Sequence, residues 1–255
     1  MNCSATSVSV LLAALFAHVA SAAGVAEIDD AAARMQYAYY TGDSRGIETA
    51  LKELEEFQVD ESLAATKTYQ LAYGNWKLSQ LYLQPQSDER PRPNAKALAA
   101  KAAQTCARHA RHAVEQDAAL AEALAIEAAC EGHSATAHSG SAGCANSKPL
   151  RTAAGLAPEN PRIKLVQALC ATSTAADPVA VDRWRGVVAS FEAAPPSRPG
   201  KPDWGHVEAL TMLGASYLQR GEAVAARDAL ERALVLAPDY RQAQQLLQAA
   251  ATRPR

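Results

Sequence analysis

Aromatic residues and net charge are both scarce in this sequence. Aromatic side chains make up 5% of the 255 residues, and the formal net charge is −2 at pH 7. The small net charge excludes a general nucleic-acid binder, because such a protein needs a concentrated basic surface to displace counterions from phosphates. Apolar residues make up 49% of the chain, and alanine dominates them. Because alanine has the highest helix propensity and lets helices approach closely, the composition predicts an all-α protein.

The sequence also lacks the motifs of the common enzyme classes. It contains no nucleophile elbow, no phosphate-binding glycine loop and no dinucleotide-binding fingerprint. No pair of carboxylates stands in a recognisable catalytic pattern. We therefore expect that the protein is not an enzyme, that it needs no cofactor, and that it acts by holding another molecule.

The N-terminal segment lacks basic residues but contains an apolar run, Ser7–Ala20. The small residues of Ala20–Ala22 follow it and form the pattern that signal peptidase recognises. We predict a signal peptide over residues 1–22, although its first ten residues contain no Lys or Arg. The run is too short for a permanent membrane helix. The rest of the sequence contains no apolar stretch long enough to span a membrane. The sequence thus predicts an exported protein, periplasmic or secreted, whose mature chain begins at Ala23 and has no membrane-spanning segment.

Residues 204–238 carry small and apolar side chains at fixed spacings. The pattern reads Leu210-x2-Leu213-Gly214-x2-Tyr217, then Gly221, Ala226-x3-Leu230, Ala233 and Pro238. Small side chains at Gly214 and Ala226 would let two helices cross closely, while Gly221 and Pro238 would end the first and second helix. The segment resembles the tetratricopeptide family, whose 34-residue unit carries W-x2-L-G-x2-Y, A-x3-F and P. Leu210 and Leu230 stand where the family pattern has Trp and Phe.

Weaker copies of the same pattern occur upstream, at Ala153–Pro158, Ala113–Ala118 and Tyr39–Asp43. The resemblance implies a right-handed solenoid of about five helical hairpins and a C-terminal capping helix, in a single domain over 23–255. The hairpins are predicted at about 26–57, 60–117, 119–157, 160–194 and 204–237, with the cap at 239–251. Insertions are predicted at Gln84–Pro93, Gly132–Lys148 and Pro195–Asp203. A long loop before a complete last repeat is similar to uncharacterised secreted bacterial tetratricopeptide proteins.

The resemblance also implies a binding surface. In the tetratricopeptide family, the first helices of the hairpins line a concave face that binds extended peptides or partner helices. We therefore expect an exported scaffold or adaptor that binds a protein or peptide in the cell envelope. The positions that map to this face are Arg162, Leu165 and Leu169 in one repeat and Glu208, Thr211, Ala215 and Gln219 in the last.

A stripe of aromatic residues leaves a second function open. Tyr69, Tyr73 and Trp76 are spaced by four and three residues, so they lie along one helix face. Aromatic side chains with a polar end suit a binding surface. They equally suit the core of hairpins that are otherwise rich in alanine, and we favour the core. The alternative function is a small-ligand carrier with a pocket between the aromatic N-terminal helices.

A third function would use a metal. Cys130, His133, His138 and Cys144 are four potential zinc ligands within a short span. A disulfide-flanked loop is the better interpretation, because an exported protein has oxidised cysteines. We therefore predict no metal site, and a metal-dependent enzyme remains the least favoured alternative. His109 and His112 share one helical face, which we interpret as a solvated basic surface.

Four cysteines remain after the predicted cleavage, and their even number predicts two disulfides. In the register that the resemblance implies, Cys106 lies in a helix that packs against the helix carrying Cys130. This favours Cys106–Cys130 together with Cys144–Cys170. The rival arrangement is Cys130–Cys144 with Cys106–Cys170.

Overall fold

The computed structural model describes residues 6–84, 94–139, 144–171 and 178–252, without the side chains of 6–22, 134–139 and 178. Throughout these ranges the chain is all-α: eleven α-helices, one 3₁₀ turn at Cys144–Asn146 and no strand. The helices are α1 (Thr6–Thr41), α2 (Ser44–Glu56), α3 (Glu61–Leu83), α4 (Ala95–Gln116), α5 (Ala121–Ser139), α6 (Lys148–Leu156), α7 (Pro161–Cys170), α8 (Pro178–Ala193), α9 (His206–Gln219), α10 (Ala223–Leu236) and α11 (Arg241–Thr252). The predicted all-α class is confirmed.

Several helices begin and end where the sequence provides local signals. The Asp43 side chain accepts a hydrogen bond from the Gly46 N–H at the start of α2. Asn160 does the same for Arg162 at the start of α7, where Pro161 occupies the first helical turn. Gly221 has a φ of +81° in the turn between α9 and α10. Only glycine adopts that conformation without strain, which explains why the turn lies there.

Consecutive helices pack in pairs that match the predicted hairpins. Helices α1 and α2, α3 and α4, α5 and α6, α7 and α8, and α9 and α10 each contact one another. Helix α11 occupies the position of the predicted cap and packs on α9 and α10. It also contacts α1, so the first and last helices of the described chain meet. One cluster of buried hydrophobic side chains extends from Ile28 to Ala250.

Helix α3 is buried on all sides between residues 68 and 79, because α1, α2, α4 and α5 all contact it. Tyr69, Tyr73 and Trp76 are each 1% exposed. The interpretation of this stripe as core is therefore confirmed, and an aromatic surface at these three residues is wrong.

The N-terminal helix runs unbroken from Thr6 to Thr41, so the predicted cleavage position after Ala22 falls within α1. Cleavage there would keep the part of α1 that packs on α2 and α3. Across the described residues, no helix combines the length and apolar character that crossing a membrane requires. The predicted insertion at Gly132–Lys148 is helical as far as Ser139, and most of the insertion at Gln84–Pro93 lies outside the described residues.

Helices α9 and α10 cross closely at Gly214. A Cβ atom at this glycine would lie 2.5 Å from Cγ of Leu230 and 2.8 Å from one of its methyl carbons. Leu230 and Ala226 are fully buried, so the leucine has no free space into which it can move. The small residue at position 214 therefore sets the distance between these two helices.

We expect Gly214→Leu to lower the free energy of unfolding by about 1–3 kcal/mol, because overpacking forces the helices apart. Urea unfolding followed by circular dichroism measures the change. Gly155→Leu is the matched control, since Gly155 is an exposed helical glycine with no neighbouring atom within 4 Å of an added Cβ. The control should be neutral or stabilising, because leucine has the higher helix propensity. Equal stability of the two variants would contradict the close crossing.

Candidate functional site

The predicted partner-binding positions do not form one open face. Leu165, Glu208 and Thr211 are buried, with 0%, 7% and 1% of their surface exposed. Their inclusion in an accessible concave surface was therefore wrong. The physical reason is that Lys77 and the aromatic side chains of α3 occupy the space beside the start of α9, and that Leu165 packs against Gly205, just before α9. Of the other four positions, Leu169 and Gln219 are exposed, and Arg162 and Ala215 are partly buried.

A buried ion pair joins α3 to α9 where the concave face was predicted. Nζ of Lys77 donates to Oε1 of Glu208 at 3.0 Å, and both side chains are more than nine-tenths buried. The second carboxylate oxygen of Glu208 accepts from the Tyr40 hydroxyl at 3.2 Å and from the Gly205 N–H at 3.1 Å. Both carboxylate oxygens are thus bonded within the protein, which is what a buried charge requires.

Aromatic rings surround the ammonium group of Lys77. Its Nζ lies 4.3 Å from the ring centroid of Trp76, 4.5 Å from Tyr39, 5.5 Å from Tyr73 and 5.7 Å from Trp204. Cation–π attraction of this kind is strongest where water is excluded. The arrangement stabilises a contact between distant parts of the chain, and we assign it a structural role.

An open groove lies along the start of α7, and we call it the Arg162 groove. It has a volume of about 950 Å³. The starts of α5 and α7, the second half of α8 and the segment 194–202 form its walls. Its lining includes small side chains on α8, the prolines of the 194–202 segment, and four cations: Arg162, Lys164, Arg198 and Lys201.

Contacts within the protein hold Arg162 at the base of this groove. Its guanidinium donates to the Ser197 hydroxyl at 3.0 Å and lies 3.6 Å from a carboxylate oxygen of Asp203. The group also lies over the ring of Phe191, 5.9 Å from its centroid. The Nε atom of Arg162 is buried and has no hydrogen-bond partner within the protein.

A smaller pocket lies between α1, α3 and the segment 197–204, and we call it the Tyr73 pocket. Its volume is about 300 Å³. Its lining includes Gln70, Tyr73 and Trp204, whose side chains are buried. The 197–204 segment is fastened to α1 at the rim, where the Asp29 carboxylate accepts from the Gly200 N–H at 2.9 Å. Sequence reasoning placed Tyr73 correctly in the core but did not identify Gln70 as a candidate site residue.

The tyrosines of the N-terminal helices lie in more than one place. Tyr69 accepts a hydrogen bond from the indole N–H of Trp204 at 2.6 Å, whereas Tyr39 and Tyr40 line a different pocket with Tyr240, between α1, α3 and α11. Burial raises the pKa of Tyr73, and the Glu208 charge raises it further. The Tyr73 hydroxyl is therefore protonated at neutral pH and can donate a hydrogen bond.

The cysteines are paired as the repeat register favoured, Cys106 with Cys130 and Cys144 with Cys170. The Cα atoms lie 6.1 Å and 5.0 Å apart in the two pairs, which is the normal range for disulfides. The rival pairing is wrong.

The candidate metal ligands are not brought together. Cys130 and Cys144 belong to different disulfides, so neither offers a thiolate. His133 lies on α5, where its Nδ1 is 3.1 Å from the Ser79 hydroxyl, and burial lowers its pKa. The side chain of His138 lies outside the described residues. Within the part of the chain that is described, no three His, Cys, Asp or Glu side chains are placed to hold a metal ion.

His109 is half-buried on α4, and burial lowers its pKa. His112 is exposed on the same helix, 3.3 Å from a carboxylate oxygen of Glu115. The predicted solvated surface therefore includes His112 but not the half-buried His109.

No protein-family model matches this chain, and a search of curated proteins finds no match to it.

Proposed function

We propose that this protein is an exported, non-catalytic scaffold of the tetratricopeptide type, built as a right-handed solenoid of helical hairpins. It binds an extended polypeptide segment in the Arg162 groove. The open groove of about 950 Å³ carries the proposal. The paired helices and the close crossing at Gly214 support the repeat type. The two disulfides and the apolar N-terminal run support export.

The shape of the groove favours an extended chain over a compact ligand. It is an open surface formed by four separate parts of the chain, and its α8 wall carries Gly186 and Ala189, both exposed. No atom lies within 4 Å of the position that a Cβ on Gly186 would take. A peptide backbone can approach such a wall closely, because small side chains leave its amide groups room.

The charges at the groove favour an acidic partner segment. Four cations and three carboxylates line the groove, which leaves a small positive excess. Glu159 is paired with Lys164 at 2.8 Å. Glu122 and Asp117 only accept hydrogen bonds from neutral groups, the Asn160 amide at 2.7 Å and the Ala119 N–H at 3.0 Å. Arg198 and Lys201 are exposed, and no carboxylate of the described residues pairs with either side chain. Two unpaired cations at the rim would attract a segment that carries Asp or Glu.

The experiment is site-specific photo-crosslinking in the cell envelope, with a photoreactive amino acid at Ala189 in the groove. We expect a discrete crosslinked partner at Ala189 and none at Ala97, an exposed control position on α4. Arg198→Glu in the same protein should lower the crosslinking yield about tenfold, which corresponds to about 1.4 kcal/mol of binding free energy. Arg108→Glu makes the same charge change on α4 and should leave the yield unchanged. Equal crosslinking at both positions, or a yield insensitive to Arg198→Glu, would exclude this groove as the binding site.

A further inference from the structure

The pocket between α1, α3 and α11 carries a single charge among the described residues that line it, and we call it the Arg241 pocket. Its volume is about 320 Å³. Three tyrosines, three glutamines, two leucines and Gly42 line it together with Arg241. None of these residues lines the Arg162 groove. The pocket is therefore a separate site with one cation and no carboxylate in its described lining.

Packing against a glycine places the guanidinium of Arg241 at this pocket. Arg241 is exposed at the start of α11. Its Nη1 lies 3.1 Å, and its Cδ 3.4 Å, from the position that a Cβ on Gly42 would take. Gly42 has a φ of +72° in the turn between α1 and α2, so a glycine there both allows the turn and leaves room for the arginine. The Arg241 side chain is bonded to no other group of the described residues, and its donors are available to a ligand.

We propose that the Arg241 pocket binds a small monocarboxylate with a compact apolar body, whose carboxylate accepts hydrogen bonds from Arg241 and Gln242. The fork of guanidinium N–H groups matches the two oxygens of a carboxylate, which makes arginine well suited to recognise that group. This site does not depend on the proposed binding of a polypeptide in the Arg162 groove.

The amide side chains at the pocket add a donor. Gln245 is exposed, and Gln84 and Gln242 are partly exposed, so a ligand in the pocket can reach lining side chains that are not buried. The Tyr240 hydroxyl donates to Oε1 of Gln242 at 2.8 Å. Burial raises the pKa of Tyr240, so this hydroxyl stays protonated at neutral pH. The oxygen of Gln242 is therefore engaged, and its NH₂ group is the end that remains to donate to a ligand.

The charges near the pocket favour a ligand with one negative charge. Asp43 and Asp239 are carboxylates adjacent in sequence to lining residues, but neither lines the pocket itself. Asp43 accepts from the Gly46 N–H, and Asp239 accepts from the Tyr37 hydroxyl at 3.5 Å. Both aspartates are exposed, so water and salt screen their charges. One carboxylate on the ligand would complement the unpaired charge of Arg241.

The walls and the size favour a compact apolar body. The rings of Tyr39, Tyr40 and Tyr240 pack together with centroids between 4.6 and 6.0 Å apart. Leu246 adds a partly exposed aliphatic side chain. The Tyr40 hydroxyl is bonded to Glu208, whose charge is paired within the core. Apolar surface beside a few polar groups is typical of small-molecule sites, and about 320 Å³ is at the small end of their range.

The test is calorimetry and saturation-transfer NMR on the mature protein with benzoate and isovalerate as probes. Benzamide and isovaleramide have the same shapes without the charge and form the comparison arms. We expect binding of at least one carboxylate, and about tenfold weaker binding of its amide. Arg241→Gln should weaken carboxylate binding about tenfold, because it removes charge-assisted hydrogen bonds. Arg108→Gln, at an exposed arginine on α4, is the matched control and should bind as the wild type does.

Gln245 provides a second test that leaves Arg241 in place. It is exposed on α11, and Gln, Glu and Lys have similar helix propensities, so the melting temperature should change little. Gln245→Glu should weaken carboxylate binding and Gln245→Lys should strengthen it, each about threefold at low salt. Gln104→Glu, on the exposed side of α4, is the control for the added charge and should leave binding unchanged.

These measurements separate loss of the ligand contact from loss of the fold. Arg241→Gln should melt at the wild-type temperature, because the arginine is exposed and unpaired; if it does not, the two Gln245 variants decide. Absence of binding by both carboxylates would overturn the proposal. So would equal affinity for an acid and its amide, carboxylate binding that a folded Arg241→Gln protein retains in full, or equal affinity of Gln245→Glu and Gln245→Lys.

Discussion

Lys77→Met should lower the free energy of unfolding by about 3–5 kcal/mol, the largest effect that we expect from a single substitution in this chain. The change leaves the Glu208 carboxylate buried without its cation. It also removes the charge that lies within 4.5 Å of the ring centroids of Trp76 and Tyr39. Breaking a buried pair costs this much because the remaining charge has lost both water and partner.

Urea unfolding at neutral pH measures this effect. Lys52→Met is the matched control, since Lys52 forms only an exposed pair with Glu56 at 3.9 Å, and exposed pairs contribute between about 0 and 1 kcal/mol. The double variant Lys77→Met/Glu208→Gln removes both charges and keeps an oxygen acceptor for the Gly205 N–H. It should be more stable than Lys77→Met alone. A Lys77→Met protein no less stable than the Lys52→Met control would show that the pair does not hold α3 to α9.

The helices and their pairing could be predicted from the sequence because the signals are local. Gly221 forces a turn, Asp43 and Asn160 cap the helices that follow them, and the small residue at Gly214 allows a close crossing. Each of these effects depends on a few neighbouring residues. The disulfide pairing followed as well, because the register of adjacent helices decides which cysteines meet.

The location of the candidate sites could not be predicted, because it depends on contacts between distant segments. Lys77 and Glu208 are 131 positions apart, and neither stands in a pattern that marks a buried charge. The resemblance to tetratricopeptide repeats implied an open concave face. In the structure, Trp204 packs against Tyr73 and Trp76, and the face is filled at that point.

Removing the Cys144–Cys170 disulfide should lower the free energy of unfolding by about 3–4 kcal/mol, the second large effect that we expect. The two cysteines are 26 positions apart, and closing a loop of this length in the unfolded chain restricts its entropy by that amount in the chain-entropy model. The bridge ties the 3₁₀ turn after α5 to the end of α7. The bridge also lies close to α5, since a Cβ added at Gly132 would be 3.0 Å from the Cys144 sulfur.

The two bridges should differ in their access to reductant. Cys106 and Cys130 are fully buried, whereas Cys144 is partly exposed. Mild reduction of the folded protein should therefore open Cys144–Cys170 first, and alkylation followed by mass spectrometry identifies the modified residues. The same reductant should not change the melting temperature of Cys144→Ala/Cys170→Ala while the Cys106–Cys130 bridge stays closed. Four titratable thiols in the unreduced, denatured mature protein would contradict both bridges. Alkylation of Cys106 and Cys130 before Cys144 and Cys170 would contradict the predicted order of reduction.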